Sequence, residues 1–191
     1  MAQECVDEVS AIMTLGKWRR NPDGMEPAPI QILSRAAFDL MLLSAGRHWV
    51  ASIREQEADP IPRSEFFGNR INLAFYDLTD GPNIATAAHV EKVYRFSQRW
   101  AKAAHSDPTT ASLVVHCFAG ISRSSAMAMI PLLLYYQSEK AAAKRLYEIN
   151  RWAAPNTHVL YLIEEKFHLR GSLYCAIKAA EQGYHEEKSY E

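Results

Sequence analysis

The sequence predicts an α/β fold: a central, mostly parallel sheet of about four to five strands flanked by helices, with a helical C-terminal part. Three observations predict it. Short strand-like stretches alternate with amphipathic helical ones from Ile30 onward. The apolar stretch Ser112–His116 (SLVVH) reads as a buried strand that runs directly into a tight turn and then a helix. After Gln137 the patterns are helical throughout. At 191 residues, 48% of them apolar and 23% charged, the chain suits one domain with a substantial core.

The elements follow in order. Residues 1–28 have weak periodicity and end in the turn-rich NPDGMEPAP, so they read as an N-terminal extension. Residues 29–182 form the domain, and residues 183–191 a polar tail. Ile30–Leu33 is a short strand, Ser34 an N-cap, and Arg35–Ser44 a helix with Phe38, Leu42 and Leu43 inward. Trp49–Ile53 is the next strand. Arg70–Tyr76 alternates, with Ile71, Leu73 and Phe75 on one face, and is a third. The loop DLTDGPN leads to a long amphipathic helix, Ile84–Ala104, with Val90, Val93, Phe96 and Trp100 on one face. Arg123–Gln137 is helical, although Pro131 removes a backbone donor and is expected to kink that helix or shift its start. Lys140–Arg151, Thr157–Leu169 and Ser172–Glu181 complete the helical part.

The formal charge of −1 gives no argument for nucleic acid or an anionic membrane, which call for a basic excess. Cys5, Cys117 and Cys175 form no C-x-x-C pair, and the histidines have no metal-ligand spacing, so neither a metal nor another cofactor is expected. The N-terminus lacks the basic and apolar regions of a secretory signal, and the longest apolar run, Ala126–Tyr136, is about half a membrane span. The chain therefore reads as cytoplasmic.

The chemistry concentrates in residues 116–125, HCFAGISRSS. A cysteine at the end of a buried strand, before a loop and a helix, lies at the carboxyl edge of the sheet, where α/β folds bind ligands. Backbone N–H groups of Phe118, Ala119, Gly120, Ile121 and Ser122 can turn inward, and the helix beginning near Arg123 adds the positive end of its dipole, which together suit a dianion. The same field favours a thiolate at Cys117. The planar fork of Arg123 can hold two phosphoryl oxygens, and Gly120 lets the backbone bend close to the ligand. Ser124 can donate to the thiolate. His116 reads as structural support for the loop. Ser122 can also be read as an N-cap, and Ser125 as a helix residue facing solvent.

HCFAGISRS resembles the H-C-x-x-G-x-x-R-[S/T] signature of the cysteine-dependent protein tyrosine phosphatase superfamily, with His116, Cys117, Gly120, Arg123 and Ser124 in the matching places. Downstream, RWAAPNTHVLYLIEEKF is similar to the segment that follows this signature in dual-specificity phosphatases, through Arg151, Pro155, Asn156 and Leu162. The resemblance covers roughly Ile30 to Leu169. It implies a compact phosphatase fold and a metal-independent phosphomonoester hydrolase working through a cysteinyl-phosphate. It also implies a general acid in the loop before the long helix, here FYDLTDGP. Asp77, directly after the strand, is favoured, and Asp80 is the alternative. The implied substrate is a phosphorylated protein or small phosphomonoester, with phosphotyrosine foremost and dual specificity as an extension. An inositol phosphate or phosphoinositide enzyme is a rival, weakened by a loop without lysines; a phosphate-binding pseudophosphatase and a sulfur-transfer enzyme are others. Trp152 and Asn156 border the pocket mouth or simply pack.

Overall fold

The computed structural model describes residues 29–41, 48–58, 67–107 and 109–188. Four strands form one sheet: β1 (Ile30–Ser34), β2 (His48–Arg54), β3 (Phe67–Ala74) and β4 (Leu113–Cys117), in the order β1-β4-β2-β3, with every pairing parallel. Six helices accompany them: α1 (Arg35–Met41), α2 (Ala87–Ser106), α3 (Arg123–Tyr136), α4 (Glu139–Ile149), α5 (Thr157–Phe167) and α6 (Ser172–Lys188). The α/β architecture predicted from the sequence is the one observed.

A strand's side chains alternate between faces, and β4 shows what this does here. Leu113, Val115 and Cys117 point into the main core, which they share with residues of α2 to α6. Val114 points the other way, into a small cluster with Phe38 of α1 and Val50 of β2. The strand is buried along its whole length because both faces are covered. The register Ser34↔Cys117 ends β1 and β4 together, so their carboxyl ends open at one edge.

At the heart of the main core lies α3, RSSAMAMIPLLLYY, which is buried from Arg123 to Tyr135. A helix that is apolar nearly all round needs neighbours on every side, and α2, α4, α5 and the sheet supply them. Pro131 sits inside this helix without ending it or moving its start from Arg123. In place of a break, the helix closes at Gln137, whose left-handed backbone (φ 50°) lets its N–H reach the Leu133 carbonyl at 2.8 Å.

Several boundaries differ from the sequence pattern. Leu42 and Leu43 of the expected Arg35–Ser44 helix lie outside the described residues, as does all of residues 1–28. The alternation at Phe75 and Tyr76 is real, with Phe75 fully buried, yet β3 has already ended at Ala74. The Tyr76 N–H turns to the Asn83 carbonyl, closing the loop. α2 begins three residues later than Ile84 because Thr86 and His89 form a reciprocal capping pair around its first turn. The last helix runs past Glu181 to Lys188. No described helix is long and apolar enough to cross a membrane.

Candidate active site

Cys117 ends β4, and the chain turns through residues 118–122 before α3 begins at Arg123. The cysteine is buried, 2% exposed, and its Sγ meets two partners: the Gly120 N–H at 3.3 Å and the Ser124 hydroxyl at 3.2 Å. Both suit a thiolate, which accepts hydrogen bonds and donates none. Gly120 has φ +78°, and a Cβ there would come within 2.6 Å of the Ser34 backbone nitrogen. Only glycine fits both demands. The loop is pinned from outside as well: Arg35 N–H donates to the Phe118 carbonyl (3.0 Å), Asn150 Nδ2 to the Gly120 carbonyl (2.8 Å) and Ala154 N–H to the Ile121 carbonyl (3.1 Å).

Arg123 is 3% exposed and held on one side. Its Nη1 donates to the Phe75 carbonyl at 3.0 Å, and Nη2 reaches Glu55 Oε1 at 3.4 Å. Nε has no hydrogen-bond partner and stands 4.0 Å from Asp77 Oδ2. A buried guanidinium oriented by two acceptors and keeping an open N–H is prepared to receive an anionic oxygen.

Of the two candidate acids, Asp77 lies against the loop. Its Oδ1 accepts from Ser122 Oγ at 2.7 Å and from Asn156 Nδ2 at 2.9 Å. Asp80 is exposed, and no hydrogen bond or ion pair to a described residue holds it. Ser122 makes no side-chain cap on α3; its hydroxyl goes to Asp77 instead. Ser125, expected to face solvent, is fully buried and lies 3.4 Å from Asn150 Nδ2. Asn156 does two things at once: Oδ1 caps α5 by accepting from Val159 N–H at 3.0 Å, while Nδ2 holds Asp77 and the Leu78 carbonyl. Glu55 and Asn150 were not anticipated. No local motif marks them, because they reach the loop from positions 68 and 30 residues away in sequence.

His116 faces away from Cys117, stacked on Phe38 with ring centroids 4.0 Å apart. Burial pushes its ionisation down to about 4, with the nearby Arg35 adding to the effect. The Asp39 carboxylate, and after it the Cys117 backbone, oppose this, and neither ring nitrogen makes a well-formed hydrogen bond. The ring is therefore neutral packing on the far face of β4. Among the described residues no cluster of histidine, cysteine, aspartate and glutamate could hold a metal ion.

A cysteine loop between the central parallel strand and a buried helix, on a four-stranded sheet with this helical tail, is the fold of the compact dual-specificity-like, cysteine-dependent phosphatases. Particular solved structures share it. Human DUSP28 aligns over 76% of this chain and 95% of its own, with a TM-score of 0.55 and 17% identity. PTPMT1 in complex with PI(5)P aligns over 74% and 91% (TM-score 0.50, 18% identity), and the Yvh1 phosphatase domain from Chaetomium thermophilum over 75% and 92% (0.51, 18%). At these identities the likeness is one of fold. No family model and no curated protein sequence matches the chain.

Proposed function

We propose that this chain is a metal-independent phosphomonoester hydrolase of the protein-tyrosine-phosphatase type, formed by residues 29–182 and acting in the cytoplasm on phosphotyrosine in proteins, with dual specificity as an extension. The observation that carries this reading is the Ser122–Asp77 hydrogen bond of 2.7 Å, which joins a carboxylate to the loop that already holds Cys117 and Arg123. Nucleophile, anion clamp and acid meet there.

The Cys117 thiolate attacks phosphorus in line, and the bond from phosphorus to the leaving oxygen breaks. Loop N–H groups and the open Nε of Arg123 hold the transferring phosphoryl group. Because Ser122 and Asn156 both occupy Oδ1 of Asp77, Oδ2 is the oxygen that carries the proton to the leaving group. In the second step water attacks phosphorus and gives a proton back to Asp77, while the Ser124 hydroxyl, 3.2 Å from Sγ, donates to the departing thiolate. The phosphoinositide and pseudophosphatase readings draw less support, since Phe118, Ala119, Ile121 and Ser122 are uncharged and the Cys–Arg–Asp set is complete.

The test is phosphate release from an aryl phosphate with a chelator present, wild type against Cys117→Ser. Turnover that vanishes only in the variant supports the mechanism. Turnover that survives the substitution, or that needs a divalent ion, overturns it.

A further inference from the structure

We infer that the rim of this pocket selects phosphotyrosyl peptides whose residues beside the phosphotyrosine are apolar and not acidic. The inference rests on the phosphatase reading above and adds the substrate's surroundings to it. Isolated exposed apolar side chains are ordinary, but several gathered around one site mark a contact surface. Here Phe118 is 75% exposed, Trp152 64%, Leu78 48% and Ile121 39%. The other described large apolar side chains that are exposed, Leu40, Tyr161 and Tyr174, lie on α1, α5 and α6.

Backbone and side-chain bonds gather the four onto one edge. Phe118 and Ile121 belong to the phosphate loop itself. Trp152 N–H donates to Asn150 Oδ1 at 3.1 Å, and the same Asn150 holds the Gly120 carbonyl through Nδ2. The Leu78 carbonyl accepts from Asn156 Nδ2 at 3.3 Å, beside Asp77. None of these side chains is needed to bind or transfer a phosphoryl group, yet the fold exposes large apolar area at each position.

Charge on the same segments gives acidic flanks no advantage. Glu55, Asp77 and Asp80 bring carboxylates to the edge, two of them beside Arg123, and further arginines stand near them. Arg123 is buried, and Arg54 donates to the carbonyls of Glu55, Gln56 and Ala58. Arg35 binds both oxygens of Asp39, and Arg151 stacks 4.8 Å from the Trp152 ring centroid. The formal charges at the edge roughly cancel, so an acidic side chain beside the phosphotyrosine, or a second phosphate on an inositol ring, gains no net attraction to offset the cost of setting its charge against Phe118 and Trp152. An apolar side chain meets Phe118 and Trp152.

The experiment measures binding of fluorescent phosphotyrosyl peptides to full-length Cys117→Ser, which does not depend on turnover. Leucine- or phenylalanine-flanked peptides are compared with glutamate-flanked ones and with vesicles carrying a phosphoinositide. The expected result is about tenfold tighter binding of the apolar-flanked peptides. Adding Trp152→Lys or, separately, Leu78→Lys is expected to close most of that gap. Equal or tighter binding of the acidic peptides, tighter binding to the vesicles, or a gap unmoved by both lysine variants overturns the inference. Wild-type hydrolysis of a small aryl phosphate is read separately: peptide preference without hydrolysis overturns the proposed function alone, and hydrolysis without preference overturns the rim alone.

Discussion

The two loops that meet at the site are built by different means. The proposed phosphate loop, residues 117–123, is short, holds a positive-φ glycine against the Ser34 backbone, and ends in a helix that is buried on all sides. The proposed acid loop, residues 75–86, is largely exposed, and its Asp77 is placed by side chains from Ser122 and Asn156, 45 and 79 residues further along the chain. The first loop is held at its backbone, by the close approach of Gly120 to Ser34 and by bonds to its carbonyls from Arg35, Asn150 and Ala154. The second is positioned only once β3, α3 and α5 have packed. Local damage should therefore be severe in the first loop, while the second should respond to changes in its distant partners.

The largest effect tests the first loop's chemistry. Cys117→Ser is expected to lower aryl phosphate turnover by more than about 10³-fold while thermal stability stays near wild type, since the serine keeps the size of the side chain. Next, the acid loop divides its own residues. Asp77→Asn is expected to cut kcat on a poor-leaving-group substrate by about 10²-fold and to remove the limb of the pH profile that reports the acid, whereas Asp80→Asn stays within about twofold. A full-activity Asp77→Asn breaks the contrast at its centre. Asn156→Ala, measured on the same substrate, is expected to lose about tenfold in kcat with little change in KM, and about 1 kcal/mol of stability from the lost α5 cap. Asn156→Ser should keep an oxygen to cap α5 but lacks the second arm that reaches Asp77, so stability returns and kcat does not.

Two smaller effects concern stability. Gly120→Ala is expected to cost about 2 kcal/mol from the positive-φ backbone and the close Ser34 approach, read as a fall of roughly 6 °C in Tm. His116 supplies a pH dependence. Its folded-state ionisation, about 4, lies below the ordinary 6.5, so between these values the unfolded chain binds the extra proton. Stability therefore rises with pH across that window and falls as the solution is acidified through it, by on the order of 2 kcal/mol for this group. His116→Phe, which keeps a ring against Phe38, should flatten that part of the stability-against-pH curve in denaturant titrations.

The sequence by itself determined the layered α/β architecture, the cysteine loop and the identity of its central residues, because strand alternation, helix periodicity and the Cys-Gly-Arg-Ser spacing are all carried by neighbours along the chain. It also narrowed the candidate acid to Asp77 or Asp80 and favoured Asp77, which follows the strand directly, while the three positions between them on one loop left Asp80 as the alternative. Only the tertiary structure set Asp77 against Ser122 and Asn156, turned Ser122 from a helix cap into a partner of that carboxylate, buried Ser125, and brought Glu55 behind Arg123. Each of those depends on a hydrogen bond between residues tens of positions apart. Periodicity and motif spacing reach across a few residues, while contacts of that span exist only after strands and helices have packed.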